Sequence, residues 1–105
     1  MCICESLPLN YKNYTSYLVG TDQRYGEVEI KKCVHCNQHW LRYFVEYAHY
    51  TKSGRWYLGK IEESEIAEIN EDNAIQKLEN MSWYYFGGSF FDTTGKIGKG
   101  TVVTG

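Results

Sequence analysis

Four cysteines stand in two close pairs, and this pattern limits the possible folds more than any other feature of the chain. One pair is Cys2-Ile3-Cys4, and the other is Cys33-Val34-His35-Cys36, with 28 residues between the pairs. Four cysteines allow three disulfide connectivities, but disulfides persist only in oxidising compartments. Two pairs of thiolates can instead supply the four tetrahedral ligands of a structural zinc ion. Either interpretation requires the fold to bring the two pairs together.

The expected compartment decides between disulfides and zinc. The first ten residues, MCICESLPLN, contain no basic start and no apolar stretch, so the sequence predicts no signal peptide. No apolar run approaches the roughly 20 residues of a transmembrane helix. We therefore expect a cytoplasmic protein with reduced thiols and no membrane partner. The predicted cofactor is a structural Zn²⁺ ion held by Cys2, Cys4, Cys33 and Cys36.

The local sequence around the second pair suits a metal-binding turn. In such a knuckle, a tight turn points both sulfur atoms at one ion while backbone amides donate hydrogen bonds to them. The residue after the second cysteine often has a positive φ, which Asn37 tolerates better than most non-glycine residues. One alternative replaces an N-terminal cysteine ligand with His39. Another leaves Cys33 and Cys36 as plain reduced thiols.

The rest of the sequence predicts one small α+β domain with a zinc-ribbon-like knuckle. A chain of 105 residues has room for one hydrophobic core, so we expect a single domain over residues 1–105. Aromatic, β-branched or alternating segments predict an antiparallel sheet of about four to five strands, with the knuckle between the second and third. These segments are residues 14–19, 25–31, 40–50, 55–61 and 83–86.

One main helix and a tail complete the predicted fold. Asn70 is a favourable N-cap for a helix in the less aromatic segment after the fourth strand. An apolar stripe at helical spacing follows it, formed by Ala74, Ile75, Leu78 and Met81. Residues 95–105 are rich in glycine and are predicted to be a flexible tail. In an alternative, Val102 and Val103 add an edge strand.

Charge is distributed unevenly along the chain. The formal net charge is −2, yet residues 62–80 contain seven acidic residues and a single lysine. A helix whose apolar stripe faces the core turns its acidic residues outward. We therefore predict that a basic protein partner contacts Glu71, Asp72 and Glu79. The alternative is a solvated helix face without a partner.

The sequence contains no arrangement typical of catalysis, so we predict no catalytic residues and no enzymatic activity. A thioredoxin-like site needs its Cys-x-x-Cys motif at the start of a helix, whereas a β-rich run follows Cys36 here. Zinc deaminases need an upstream His-x-Glu and a proline before the first cysteine, and both are missing. Four thiolates also leave no open position on zinc for a substrate. An active site assembled from scattered His and Glu residues is the alternative.

Four segments together resemble small bacterial immunity proteins of polymorphic toxin systems: the N-terminal cysteine pair, Cys33-Val34-His35-Cys36, Gly54-Arg55-Trp56-Tyr57 and Trp83-Tyr84-Tyr85-Phe86-Gly87-Gly88-Ser89. The likeness is one of size, layout and acidic segment. It implies a cytoplasmic protein that binds a toxin domain stoichiometrically and covers its active site. The acidic segment would then face a basic, nuclease-like toxin.

The alternative function is nucleic-acid binding, because the cysteine pairs separately resemble zinc ribbons. The chain contains 10 Tyr, 4 Phe and 3 Trp, and aromatic side chains on a sheet can stack bases. The negative net charge disfavours this function, since affinity for nucleic acid depends on neutralising phosphates. The sequence indicates no particular oligomeric state.

Overall fold

The protein folds as an antiparallel meander, seen in a computed structural model that describes residues 11–23, 26–45, 54–87 and 95–102. Within these residues each strand pairs with the next along the chain, so the spatial order is the sequence order. The strands are β1 (Tyr14–Thr21), β2 (Glu27–Cys33), β3 (His39–Val45), β4 (Arg55–Ile61), β5 (Tyr84–Gly87) and β6 (Lys96–Gly98). Among the described strands, β1 and β6 form the two edges of the sheet.

The predicted antiparallel sheet is confirmed, but it contains more strands than predicted. The described residues form six strands instead of four to five. The missed strand is β6, whose three residues are too few to show an alternating pattern. β4 begins and ends where the sequence predicted, whereas the last part of the predicted third strand, residues 46–50, lies outside the described residues.

Helical structure is smaller than the predicted main helix, so the fold is sheet-rich. A 3₁₀ helix spans Glu63–Glu68, and α1 spans Ala74–Glu79. Asn70 does not cap α1, because its Oδ1 accepts the backbone N–H groups of Asp72 and Asn73 at 2.8 and 3.0 Å. These bonds stabilise a turn that competes with helix, and α1 starts only after Asn73.

One face of the sheet forms the main core together with α1. α1 packs against β3 and β4, and its Ala74 and Leu78 are fully buried. Ile75 and Met81 are partly buried against the same cluster, which confirms the predicted apolar stripe. From the strands, the core receives Val28, Ile30, Leu41, Tyr43, Val45, Tyr57, Ile61 and Tyr84.

The opposite face of the sheet carries an aromatic cluster around Trp40. The Trp40 ring stacks on Tyr85 with a centroid distance of 5.9 Å and meets Trp83 edge-on at 6.3 Å. Trp40 is fully buried, and the same cluster contains the buried Cys33 and Leu58. The first cysteine of the predicted knuckle is thus fixed by packing at the end of β2.

The segment after β6 is attached to α1 and β5. The backbone N–H of Val102 donates to Glu79 Oε2 at 2.9 Å, and the Tyr84 hydroxyl donates to the carbonyl oxygen of Gly100 at 3.0 Å. Burial raises the pKa of Tyr84 above its ordinary value of 10.0. The flexibility predicted for residues 95–105 stays a prediction, and its last three residues lie outside the described part.

Candidate functional site

The second cysteine pair lies in the tight turn between β2 and β3. The backbone N–H of Asn37 donates to the carbonyl oxygen of Cys33 at 3.0 Å. The backbone N–H of Cys33 donates to the carbonyl oxygen of Gln38 at 2.9 Å. Asn37 has a φ of 64°, in the left-handed region that asparagine adopts more easily than most residues. The positive φ predicted after the second cysteine is therefore confirmed.

A backbone amide of this turn contacts the first sulfur atom. The N–H of His35 donates to Cys33 Sγ at 3.4 Å. The thiolate is the form of cysteine that binds metal. The turn thus contains the amide-to-sulfur bond that the sequence predicted for a metal knuckle, at one of its two cysteines.

The two cysteines of the turn have different surroundings. Cys33 is buried in the aromatic cluster, whereas Cys36 is exposed. Cys36 and His39 border one surface depression of about 400 Å³, together with Glu62 and Glu63. Among residues 11–23, 26–45, 54–87 and 95–102, no three or more His, Cys, Asp or Glu side chains are grouped so that they could hold a metal ion.

The first described segment of the chain begins beside the knuckle. The backbone N–H of Val34 donates to the carbonyl oxygen of Asn13 at 2.9 Å, and His35 Nε2 lies 3.2 Å from Asn13 Oδ1. The predicted ligands Cys2 and Cys4 lie outside the described residues. Cys4 precedes Asn13 by nine residues, which span at most about 30 Å when extended, so Cys4 is within reach of the turn.

The three acidic residues predicted to contact a partner border one groove. Glu71, Asp72 and Glu79 line a depression of about 370 Å³ with Asp22 and Ile75, between α1 and the turn that follows β1. Gln23 and Gln76 complete its lining, so the lining formed by described residues includes no lysine or arginine. The groove brings together carboxylates that are up to 57 positions apart in sequence.

These carboxylates differ in their exposure and in their local contacts. Asp72 is exposed, whereas Glu71 and Glu79 are partly buried. Glu79 accepts the backbone N–H of Val102, and Glu71 lies so close to Gly20 that a Cβ there would stand 2.6 Å from its Oε2. Glu71 and Glu79 thus also contact other parts of the fold. The sequence predicted only that these side chains face outward.

Sequence reasoning missed Asp22 as a member of this groove. Its Oδ2 accepts the Tyr43 hydroxyl at 2.6 Å, and its Oδ1 accepts the backbone N–H of Gly26 at 2.8 Å. The second bond is a local turn contact of the kind that aspartate often makes. The turn that contains Asp22 could therefore be predicted from the sequence. The approach of Asp22 to α1 depends on tertiary packing and has no local signal.

Nucleic-acid binding would need basic side chains on the sheet, and two of those present, Arg42 and Lys31, contact neighbouring strands. Arg42 forms an ion pair with Glu29, and its guanidinium lies 4.9 Å from the centre of the Phe44 ring. Lys31 lies over the Tyr14 ring at 5.8 Å, and burial lowers the pKa of Lys31 from its ordinary value. Neither cation is presented to solvent as an isolated phosphate contact.

Comparison with protein-family models, with curated proteins and with solved structures gives no significant match. Within the described part of the chain, no helix is long and apolar enough to cross a membrane.

Proposed function

We propose that this chain is a non-enzymatic, zinc-binding interaction protein of the toxin-immunity type, whose partner is a basic protein domain. The observation that carries the proposal is the groove beside α1, where four carboxylates converge around Ile75. A concave acidic surface with an apolar residue in its lining fits a basic side chain projecting from a protein better than it fits a phosphate backbone. Phosphates would be repelled there.

The acidic charge of this region is not balanced within its own segment. Lys77 is the single basic residue of residues 62–80, and its Nζ lies 3.8 Å from Glu68 Oε2. A partly exposed pair at that distance contributes little to stability. The remaining carboxylates produce a negative potential that accelerates association with a basic partner more than it strengthens the final complex.

Zinc has a structural role in this proposal. The positive φ of Asn37 and the N–H···S bond to Cys33 support a metal knuckle at the turn between β2 and β3. Cys2 and Cys4 would complete a four-thiolate site, whose closed coordination is typical of structural zinc. A zinc ion with four thiolate ligands activates no water, in agreement with a non-enzymatic function.

The test is charge reversal in the groove, Glu71→Lys with Asp72→Lys, followed by association kinetics against a basic nuclease toxin domain. We expect the association rate at low salt to fall by about tenfold and its salt dependence to flatten. The matched control is Glu63→Lys with Glu68→Lys, which makes the same charge change on the 3₁₀ helix outside the groove. Thermal unfolding of both variants verifies that they remain folded.

Three outcomes of this experiment would count against the proposal. Equal rate changes in the two double variants would show that only overall charge matters. Unchanged rates in both would make the acidic segment a solvated face. Tighter binding of single-stranded DNA by the groove variant, with no effect on the nuclease domain, would favour the nucleic-acid-binding alternative.

A further inference from the structure

The aromatic cluster is buried although it lies on the face of the sheet away from α1. Trp40 is fully buried, and Cys33, Leu58 and Tyr85 of the same cluster are at most 3% exposed. Side chains stand roughly perpendicular to a sheet, so neighbours on the same face shield their sides but not their outer ends. Full burial of a side chain as large as tryptophan therefore requires a second layer over this face.

The described helices do not form this second layer. Ala74 and Leu78 of α1 and Ile66 of the 3₁₀ helix pack with the main core, and the aromatic cluster contains no residue from either helix. Trp83 meets Trp40 edge-on and is itself only partly buried, so it lies at the margin of the cluster. The cover over Trp40 is thus not one of these elements.

The indole of Trp40 also has an unmet hydrogen-bond donor. Its Nε1 is buried and has no hydrogen-bond partner in the described structure. Buried indole N–H groups normally find an acceptor, because an unpaired donor has lost its bond to water without replacement. A backbone carbonyl oxygen in the covering layer would supply this acceptor.

Residues 1–10 lead into the end of the sheet where Trp40 lies. Trp40 is the second residue of β3, which begins just after the cysteine turn. The chain enters β1 at the same end, because the carbonyl oxygen of Asn13 accepts the backbone N–H of Val34 at 2.9 Å. The nine residues from Cys4 to Asn13 span up to about 30 Å, enough to pass over Trp40 and return to the turn.

The other segments outside the described residues join the fold elsewhere. Residues 24–25, 46–53 and 88–94 connect strands at the opposite end of the sheet. Along the strands, that end is four or five residues from Trp40, or about 13–16 Å. Residues 103–105 follow Val102, which packs in the main core on the other face. The topology therefore favours the N-terminal segment as the cover.

The sequence of residues 5–10, Glu-Ser-Leu-Pro-Leu-Asn, suits this position. Proline restricts the residue before it to extended backbone, and residues two apart in an extended segment point to the same side. Leu7 and Leu9 therefore present two apolar side chains on one side of Pro8. An apolar pair in this arrangement can pack on an aromatic ring while the polar residues around it face water.

We propose that residues 5–10 form a strap across the aromatic face, with Leu7 and Leu9 packed on Trp40 and a backbone carbonyl oxygen of the strap accepting the Trp40 Nε1–H. The strap is separate from the proposed zinc site, because it is held by apolar packing and needs no metal. A covered cluster cannot stack bases, so the strap also counts against the nucleic-acid-binding alternative.

The test is NMR of the full chain under reducing conditions with zinc present. We expect nuclear Overhauser contacts between the methyl groups of Leu7 or Leu9 and the Trp40 ring. Leu7→Ser with Leu9→Ser is expected to speed solvent exchange of the Trp40 indole N–H by at least about tenfold, because it opens the cover. The matched control is Glu5→Ser with Asn10→Ser, which changes two polar residues of the same strap and is expected to leave this exchange unchanged.

The contacts in the wild type decide the question even if a variant fails to fold. Their absence in folded protein that carries zinc would overturn the strap and leave the zinc site standing. Contacts of Trp40 with residues 46–53 or 88–94 instead would also overturn it, as would equal exchange in the two double variants. Protection of the indole that appears only at high concentration would assign the cover to a second copy. Protein that binds no zinc yet shows the expected contacts would support the strap and contradict the zinc site alone.

Discussion

Cys36→Ala is expected to lower the free energy of unfolding by about 3 kcal/mol or more, although Cys36 is exposed. An exposed side chain that binds nothing can usually be shortened at a cost of about 0.5 kcal/mol or less. A zinc ligand differs because the energy of metal binding is part of the folding energy. Cys36→Ala therefore distinguishes a zinc ligand from a plain thiol more cleanly than a substitution of Cys33 does. Cys33 is buried, so any truncation there is costly with or without zinc.

The measurement is urea unfolding of wild type and variants, with zinc and again with a chelator. Val34→Ala is the matched control, because Val34 lies in the same turn and is 51% exposed. We expect the chelator to lower the stability of the wild type to that of Cys36→Ala. Cys2→Ala is expected to be milder, since Cys2 tethers a terminus alone. Identical unfolding curves for Cys36→Ala and wild type in zinc would contradict the metal site.

Leu78→Ala is expected to destabilise the protein by about 2–5 kcal/mol, the usual range for a fully buried leucine. α1 has six residues, too few to be stable without tertiary packing, so it depends on the side chains that it buries. Leu78 supplies the largest of these. Loss of its packing in the core would also loosen the acidic groove that α1 borders.

Gln76→Ala is the matched control on the same helix, because Gln76 is exposed. Chemical unfolding of both variants gives the comparison, and we expect Gln76→Ala to remain within about 0.5 kcal/mol of wild type. A cost for Leu78→Ala no larger than that of Gln76→Ala would mean that α1 does not pack on the sheet in solution.

The strands could be predicted where apolar residues occur at every second position and are also the residues that the fold buries. In β2, Val28 and Ile30 alternate with Glu27 and Glu29, and the structure buries the apolar pair. The main helix was not predictable at its true length. The side chain of Asn70, read as a helix cap, instead closes a turn, and local sequence alone does not separate these two uses of asparagine.

In the candidate site, too, the geometry of a short segment could be predicted from the sequence, whereas contacts between distant residues could not. The positive φ of Asn37 followed from the chemistry of a four-residue turn, which sequence shows directly. Contacts between distant residues did not follow. The approach of Glu71 to Gly20 and the bond from Tyr43 to Asp22 depend on tertiary packing between segments that are distant in sequence. Counting charges along the sequence located the acidic segment. Asp22 lies outside that segment, and tertiary packing brings it into the acidic groove.

Zinc content is the most direct test of the central claim that the two cysteine pairs hold a structural metal ion. Native mass spectrometry of the full chain, purified under reducing conditions with zinc present, gives the number of ions per protein. We predict about one zinc ion per chain, lost in Cys36→Ala and retained in Val34→Ala. Wild-type protein that is folded and carefully reduced, yet carries clearly less than one zinc ion per chain, would contradict the claim.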